Sequence, residues 1–337
     1  MELALRFSQG SARARILAPG VLACGVVGAA SAFLAEHYGA PVMLFALLLG
    51  MAMNFLSADG ACRPGIEFSA KQMLRIGIAL LGLRITIGQV AALGWGPLVL
   101  VIVCVVLTIG VSMLAARLLK FQPLFGLLTG GATAICGASA ALALSAALPA
   151  HPKKDQATLF TVIGVSALST LAMVLYPMVV QALGYTPLLA GKFLGATIHD
   201  VAQVVGAGYS ISTEAGDVAT LVKLMRVAML LPVILFASLL TRTSGQAQGG
   251  ERPPLLPWFA VAFAVLVAIN STGFVPRPLQ AAGNDVSRWF LVASIAGIGM
   301  KTQLKELVTV GLKPVLLMVG ETLFLALLAL ALLRWLP

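Results

Sequence analysis

The segment PLVLVIVCVVLTIGVSMLAA at residues 97–116 contains twenty residues and no charged side chain. A helix of that length, at 1.5 Å per residue, spans about 30 Å, which is the thickness of the hydrocarbon layer of a membrane. In lipid every backbone polar group needs a partner within the protein, and the run is far longer than the ~10-residue strands of a membrane barrel. The segment is therefore predicted to be a transmembrane helix.

Similar apolar runs of 16 to 28 residues recur on both sides of this segment, separated by short breaks. The chain is 60% hydrophobic and 10% charged, with a mean hydropathy of +1.01, which excludes an ordinary water-soluble domain. The sequence predicts an all-α polytopic membrane protein with about 9 to 11 transmembrane helices. The predicted segments are 16–35, 41–56, 70–92, 97–116, 122–149, 157–183, 187–210, 217–240, 255–272, 286–304 and 313–335.

The net charge of +10 comes from Lys and Arg residues at helix ends and in short loops, not from one basic block. This is the pattern of positively charged cytoplasmic loops, so membrane lipid is the expected surrounding and nucleic acid is not an expected partner. The expected location is the cell inner membrane. The cysteines lie in separate segments without CxxC spacing, so neither a zinc site nor a disulfide framework is predicted, and no cofactor is expected. They are Cys24, Cys62, Cys104 and Cys136.

One stretch is typical of a linker: TRTSGQAQGGERPP at 241–254, which is polar, rich in Gly and closed by two prolines. It predicts a division of a single integral membrane domain into an N-terminal membrane unit at 1–240 and C-terminal helices at 255–337.

Two segments are unusually rich in small residues: GGATAICGASAALALSAAL at 130–148 and GATIHDVAQVVGAG at 195–208. Gly, Ser and Thr lower helix propensity, and helices interrupted at membrane depth mark the binding sites of many transporters. Each segment is predicted to be discontinuous or re-entrant. The alternative is that both runs are faces for tight helix packing.

Charge also bears on the topology. If all segments simply cross, Lys153 and Lys154 fall outside, against the positive-inside rule. If 122–149 and 187–210 each enter and leave on one side, both lysines lie inside while Glu214 and Asp217 stay outside. The charges therefore favour two re-entrant segments.

Internal repeats are a further feature. Residues 76–102 match 293–319 without a gap, and a weaker match relates Gly131-Ala132-Thr133 to Gly195-Ala196-Thr197. In the re-entrant topology both pairs run in opposite membrane directions. Inverted repeats of this kind are the architecture of many secondary transporters.

The strongest local signal is His199-Asp200, followed by Gln203, in the middle of an apolar segment. A carboxylate there can bind Na⁺ or a proton, an imidazole can relay a proton, and an amide can contact a substrate. We expect Asp200, with His199, to couple transport to an ion gradient, because an ionised and unpaired carboxylate at that depth would be costly. The alternative is a structural polar cluster.

Lys223 and Arg226 are three residues apart on the following helix, and their fixed charges suit an anionic substrate. Alternatively they neutralise Asp200 or Glu321. Thr133, Ser139 and the backbone of three glycines offer hydroxyls, amides and helix N-termini to an anion, although packing alone also explains that run. The predicted substrate-binding residues are Gly130, Gly131, Thr133, Gly137, Ser139, His199, Gln203, Lys223 and Arg226.

Five motifs resemble the YeiH-type family of bacterial membrane proteins, described as sulfate exporters. The resemblance extends over nearly the whole chain and implies an inner-membrane protein of ten or eleven helices, related to cation–proton antiporters and bile-acid-type transporters, in which two discontinuous helices cross. It also implies sulfate or a sulfur-containing organic anion as substrate. The motifs are GGATAICGASA (130–140), GATIHDVAQVVGAG (195–208), VKLMRVAMLLP (222–232), PWF (257–259) and GIGMKTQLKEL (297–307).

These observations together predict a secondary active transporter of a small anion, coupled to a proton or sodium gradient, with a homodimer as a further expected assembly. An anion channel is the first alternative. An intramembrane enzyme using His199 and Asp200 is weaker, because no nucleophile motif, metal-ligand set or nucleotide loop accompanies the pair, and we expect no enzyme activity.

Overall fold

The computed structural model describes residues 2–38, 42–58, 60–149, 151–242, 258–302 and 312–335. These residues form helices and connecting turns, and no strand occurs among them. The protein is an all-α polytopic membrane protein, as predicted. Its helices are α1 Glu2–Tyr38, α2 Val42–Ala52, α3 Phe55–Ala58, α4 Arg63–Phe68, α5 Leu74–Leu80, α6 Ile87–Ala92, α7 Gly96–Leu118, α8 Pro123–Ala134, α9 Ala138–Ala147, α10 Lys154–Ala182, α11 Pro187–Thr197, α12 Val201–Ile211, α13 Thr213–Ala228, α14 Leu230–Arg242, α15 Trp258–Ser271, α16 Arg277–Lys301 and α17 Leu312–Leu333.

Among the described residues, five helical stretches are long and apolar enough to cross a membrane. One of them, Thr213–Ala237, joins α13 to α14 across a single turn. Shorter apolar helices lie between these spans. The five stretches are Ala14–Tyr38, Gly96–Leu118, Gln156–Ala182, Thr213–Ala237 and Leu312–Leu333.

The chain forms two compact units, and each combines residues from both sides of the predicted linker. The first contains residues 1–89 and 259–303, the second residues 90–258 and 304–337. In the first unit α16 packs against α2 with the backbones of Gly50 and Gly299 in close approach. Most of the predicted linker at 241–254 lies outside the described residues, and the division there stays a prediction.

In the second unit, the first small-residue segment is a helical hairpin. Its helices α8 and α9 are separated by three residues, and the Leu144 side chain of α9 lies against Gly131 of α8. Leu124 near the start of α8 and Leu148 just after α9 line the same cavity, whereas a continuous helix would separate them by about 36 Å. The chain therefore folds back at the break.

The second small-residue segment folds in the same way. Gly191 of α11 and Gly208 of α12 both approach the carbonyl of Ala215 on α13, although a continuous helix would separate the two glycines by about 26 Å. We refer to α8–α9 as the first hairpin and α11–α12 as the second. Their half-helices contain 10 to 12 residues, or about 15–18 Å, which is half the thickness of a membrane.

Contacts along α10 place the two hairpins at opposite ends of the unit. Near the start of α10, Thr158 donates a hydrogen bond to Ser145 in the first hairpin. In its middle, Ser169 accepts a hydrogen bond from the break of the second hairpin, and further on the Tyr176 ring contacts the Phe193 ring of α11 in a tilted arrangement. The span Thr213–Ala237 contacts the two hairpins in the opposite order along the chain. Its first part, α13, packs on α11 and α12 of the second hairpin, and its second part, α14, packs on α9 of the first hairpin.

These hairpins agree with the topology derived from charge and correct the expectation carried by the family resemblance, which was that two discontinuous helices cross. The reason lies in the breaks, where three residues outside the helices let the chain reverse its direction. The weaker internal repeat also has a structural counterpart. Each Gly-Ala-Thr sequence lies in the last turn of the first half-helix of its hairpin, and each hairpin is followed by a long helix.

Candidate functional site

The tip of the first hairpin consists of Ile135, Cys136 and Gly137. Ile135 leaves the helical conformation with φ −110° and ψ −82°, and Gly137 begins α9 with φ +66° and ψ −130°. A side chain is strained at such a positive φ, so glycine suits this position.

The tip of the second hairpin consists of Ile198, His199 and Asp200, with the last two of these in contact with the first tip. A Cβ atom at Gly137 would lie 3.6 Å from both Asp200 Cβ and the carbonyl oxygen of His199. The backbone N–H of Asp200 donates to Ser169 Oγ at 3.0 Å. The two breaks predicted from composition therefore meet, which places His199 and Asp200 beside Gly137.

Lys223 and Arg226 of α13 connect both tips, and both side chains are 0% exposed. Lys223 Nζ donates to the carbonyl oxygens of Ile135 at 2.7 Å, of Ile198 at 2.8 Å and of His199. One ammonium group thus holds carbonyls from the first and the second tip together.

Arg226 extends the same arrangement. Its Nε donates to Ala134 O at 2.7 Å and its NH2 to Thr133 O at 2.9 Å, both at the end of α8. Its NH1 donates to Gly195 O at 3.2 Å and Ile198 O at 3.1 Å, at the end of α11. The last carbonyls of a helix have no partner within it and carry the negative end of the helix dipole, so a buried cation stabilises them by hydrogen bonding and by charge.

These contacts explain how two buried cations are accommodated, since the three donors of the Lys223 ammonium are all used by carbonyls. Asp200 is half-buried and near enough to Lys223 for the two charges to interact. The site therefore concentrates positive charge at the point where the hairpins meet, with backbone carbonyls as the first partners of that charge.

The N-terminal ends of α9 and α12 also lie at the tips. The N-cap residues Gly137 and Asp200 make no side-chain capping bond, and each end directs backbone N–H groups and the positive end of a helix dipole to the tips. In the first turn of α12, Gln203 is 4% exposed and its amide oxygen has no hydrogen-bond partner among the described residues. Buried polar atoms are usually paired, so this atom indicates a site for a further ligand or water.

His199 joins the tips to α17. Its Nδ1 lies 3.1 Å from Thr133 O and therefore donates, because a carbonyl only accepts. Its Nε2 lies 2.9 Å from Thr322 Oγ1, which is also 2.8 Å from Met318 O. If the ring is neutral, its Nε2 accepts a hydrogen bond from the Thr322 hydroxyl. If the ring is charged, its Nε2 donates to Thr322 Oγ1, and the Thr322 hydroxyl then donates to Met318 O.

The other predicted site residues take different positions. Gly130 packs on Ser112, and Gly131 packs under Leu144, so both lie in helix contacts. Thr133 contributes its carbonyl to the tip while its hydroxyl donates to Glu321 at 3.0 Å. Ser139, in the first turn of α9, is exposed.

Glu321 is a further functional candidate. The sequence indicated it only as an alternative partner for Lys223 and Arg226. Its carboxyl is 3% exposed and binds the hydroxyls of Ser112, Thr129 and Thr133. The available signal was a carboxylate in the last apolar segment, but the three hydroxyls come from α7 and α8, and nothing in their spacing indicated that they meet α17.

A basic cavity of about 570 Å³ lies at the open end of the first hairpin. It is lined by Lys120, His151, Lys153 and Lys154, and by apolar residues of α8, α9 and α10. Lysines at such an entrance raise the local concentration of anions.

The fold and this site define a class: a polytopic α-helical membrane protein in whose second unit two helical hairpins meet at their tips. Residues 19–318 match the family described as conserved hypothetical protein 698. The chain belongs to that family, the UPF0324 membrane proteins, which confirms the family resemblance found in the sequence.

Three relatives illustrate the family. A UPF0324 membrane protein of Chlorobaculum tepidum is 53% identical over 94% of this chain and 89% of its own length. The UPF0324 membrane protein TauZ of Paracoccus denitrificans is 53% identical over 91% and 92%, and one from Rhizobium meliloti is 51% identical over 93% and 91%. No solved structure matches the chain.

Proposed function

We propose that this protein is a secondary active transporter of a small anion in the bacterial inner membrane, coupled to a proton or sodium gradient. One observation carries the proposal: two re-entrant hairpins from opposite ends of one unit meet at their tips, beside two buried cations. Interrupted helices that meet at membrane depth are the usual position of the binding site in secondary transporters.

The chemistry of the tips favours an anion. The N-termini of α9 and α12 present backbone N–H groups and the positive ends of two helix dipoles, and Lys223 and Arg226 add two buried positive charges. Gln203 adds a buried amide whose Nε2 group can donate to an anion, while its unpaired Oε1 can accept a hydrogen bond only from a donor such as water. Within this proposal the anion binds to backbone N–H groups and the Gln203 amide, while the two cations act mainly through their field.

The arrangement of the hairpins suits alternating access, in which the tips open first to one side of the membrane and then to the other. Each hairpin is about half a membrane thick, so a ligand at the tips is separated from each side by one hairpin. Movement of one hairpin opens one side, which distinguishes a carrier from a channel with a continuous path. Asp200 and His199 lie at the tips and are the coupling candidates within this proposal.

The substrate class follows from the family resemblance, which implies sulfate or a sulfur-containing organic anion. The basic cavity at the open end of the first hairpin supports an anionic substrate of either kind. A homodimer stays a prediction.

Counterflow in proteoliposomes tests the proposal. Vesicles containing purified protein are loaded with unlabelled sulfate and diluted into radiolabelled sulfate, and we expect the label to rise transiently above its equilibrium level. Sulfite, thiosulfate and methanesulfonate are tested in the same way. A carrier produces this overshoot because exchange is faster than net flux.

Gln203→Leu is expected to reduce the initial rate of counterflow, since it removes a buried amide at the tips. Gln181→Leu is the matched control, because Gln181 is exposed near the end of α10. Equilibration of the label without an overshoot would identify a channel, and the absence of uptake for all four anions would contradict the proposed substrate class.

A further inference from the structure

A second carboxyl group lies in the second unit, away from Asp200. Glu321 of α17 has three hydroxyl partners: Ser112 Oγ at 2.5 Å and Thr129 Oγ1 at 2.6 Å, both on Oε1, and Thr133 Oγ1 at 3.0 Å on Oε2. We call Glu321, Ser112, Thr129 and Thr133 the carboxyl cluster. All four residues are buried, and three helices contribute to them.

No cation neutralises Glu321 within the described part of the chain. The buried cations at the hairpin tips, Lys223 and Arg226, donate to backbone carbonyls instead. A carboxylate at membrane depth with neutral partners alone is costly, because the hydrocarbon layer does not solvate its charge. Binding of a proton or a metal cation removes that cost.

The number of hydrogen atoms in the carboxyl cluster favours a bound proton over a bound metal cation. Ser112 Oγ lies 2.7 Å from Gly126 O as well as 2.5 Å from the carboxyl, so the cluster contains four short oxygen contacts but three hydroxyl hydrogens. If Glu321 is protonated, it donates to Ser112, Ser112 donates to Gly126 O, and Thr129 and Thr133 donate to the carboxyl. Each short contact then contains one hydrogen.

The distances disfavour a metal ion in this arrangement. Oxygen ligands about 2.4 Å from a cation and at right angles to each other lie about 3.4 Å apart. The contacts of Ser112 and Thr129 with Glu321 are 2.5 and 2.6 Å, which are lengths of O–H···O hydrogen bonds.

The carboxyl cluster is connected to the hairpin tips through Thr133. While its hydroxyl binds Glu321, its carbonyl accepts from His199 Nδ1 and from Arg226. The next residue of α17, Thr322, contacts His199 Nε2. A change of charge on Glu321 therefore acts on residues that hold the tips and on the position of α17 against them.

Other titratable groups on the helices packed against α17 make no hydrogen bond or ion pair with Glu321 within the described side chains. The helix α8 contributes no titratable side chain, and His199 is connected to the cluster through Thr133 and Thr322. The described titratable residues on α7, α10 and α11 are Cys104, Arg117, Lys154, Tyr176 and Lys192.

The basic cavity provides an approach to the cluster. Phe125 and Leu128 line it, and the carbonyl oxygen of Phe125 lies 3.2 Å from Thr129 Oγ1. One turn of α8 thus separates the cavity lining from Thr129, whose hydroxyl donates to the carboxyl group.

We propose that Glu321, held by Ser112, Thr129 and Thr133, is the proton-binding site of this protein and gains and loses one proton in each transport cycle. The inference rests on the proposed function for its role in transport, which it deepens by identifying the coupling ion as a proton. The chemistry is the reversible protonation of a carboxylate, so no other reactant is needed.

Infrared difference spectroscopy of the full-length protein in lipid tests the proton site without any transport assay. As the pH is raised, we expect loss of a carboxylic-acid carbonyl band that is absent in Glu321→Gln and present in Asp200→Asn and in the exposed control Glu214→Gln. If Glu321→Gln does not fold, Ser112→Ala is expected to shift the frequency of the band by removing one hydrogen bond. A band unaffected by either substitution would overturn the inference.

Sulfate-dependent proton movement, followed by a pH-sensitive dye inside proteoliposomes, tests the coupling. We expect Glu321→Gln to reduce it by about tenfold or more, within the usual range of coupling between two sites. Sulfate counterflow with proton movement that does not depend on Glu321 would overturn the inference and leave the proposed function in place. An infrared band that depends on Glu321, without counterflow of any anion, would contradict the proposed function but would still support Glu321 as the proton-binding site.

Discussion

Arg226 is the residue on which both hairpin tips depend most. It makes four hydrogen bonds to backbone carbonyls, two at the end of α8 and two at the end of α11. Each of these carbonyls has lost its helical partner, because the helix ends there. A fully buried guanidinium is tolerable when its donors are used, and its five N–H groups in one plane suit carbonyls that come from different directions.

This geometry changes what is expected of Arg226→Gln. The sequence alone predicts that loss of the charge weakens substrate binding more than folding. It also predicts that Asp200→Asn rescues stable expression if the two charges form a structural pair. Loss of the guanidinium leaves Ala134 O and Gly195 O without a side-chain donor and removes one of two donors from Thr133 O and Ile198 O. We expect a loss of about 3 kcal/mol or more in stability, comparable to breaking a buried ion pair.

Thermal unfolding in detergent measures the effect. Arg117→Gln is the matched control, because Arg117 is exposed near the end of α7 and should change stability by about 0.5 kcal/mol or less. Equal melting temperatures for Arg226→Gln and Arg117→Gln would contradict a structural role for Arg226.

Of the residues at the site, the sequence indicated His199, Asp200, Gln203, Lys223 and Arg226, because polar groups in apolar segments are rare and need a reason. Their actual partners were not predictable. The cations bind carbonyls of two breaks that are 63 residues apart in the chain, at Ile135 and Ile198. Glu321 binds hydroxyls from two other helices. Such contacts depend on tertiary packing, about which local composition carries no information.

At the level of helices, the hairpins depend on short breaks. Three residues separate α8 from α9, and Gly137 has φ +66° at the point where α9 begins. The half-helices are too short to cross a membrane alone, so they are stabilised by packing against α10 and α13. Density of small residues predicted that both segments would be interrupted, and loop charges predicted that they would re-enter, while the family resemblance suggested crossing.

Gly137→Ala tests the geometry of the first tip. An alanine at this φ is strained by about 1–3 kcal/mol, although its Cβ would lie at ordinary contact distance from Asp200, at 3.6 Å. We therefore expect lower thermal stability and slower counterflow, caused by the backbone and not by a clash.

Gly110→Ala is the matched control for that substitution. Gly110 lies inside α7, and a Cβ there meets nothing within 4 Å, so alanine should keep or raise stability by up to about 1 kcal/mol. If Gly137→Ala behaves like Gly110→Ala in both assays, the conformation described for the first tip is incorrect.

For the molecule as a whole, the order of contacts along two long helices determines the sidedness of the second unit. On α10, the first hairpin contacts the early residues and the second hairpin the later ones. On the span Thr213–Ala237, the second hairpin contacts the first half and α9 the second half. Two helices that agree in this way place the open ends of the hairpins at opposite ends of the unit.

Charge then indicates which end is cytoplasmic. One cavity at the open end of the first hairpin is lined by Lys120, Lys153 and Lys154. Arg117, in the last turn of α7, precedes Lys120 by three residues. Glu214 lies at the other end, where the second hairpin is followed by α13. Cytoplasmic loops carry an excess of Lys and Arg, so the first hairpin should open to the cytoplasm.

We therefore expect Lys153→Cys and Arg117→Cys to be protected in intact cells from a membrane-impermeant maleimide, and Glu214→Cys to be labelled. All three native side chains are exposed, so reactivity reports the side of the membrane, and the unsubstituted protein with its four free cysteines supplies the background. Labelling of both Lys153→Cys and Glu214→Cys from outside would contradict the opposed hairpins and favour simple crossing. Labelling of Lys153→Cys and Arg117→Cys but not Glu214→Cys would keep the hairpins and reverse their orientation, because the structure determines which residues share an end and the charges determine which end faces the cytoplasm.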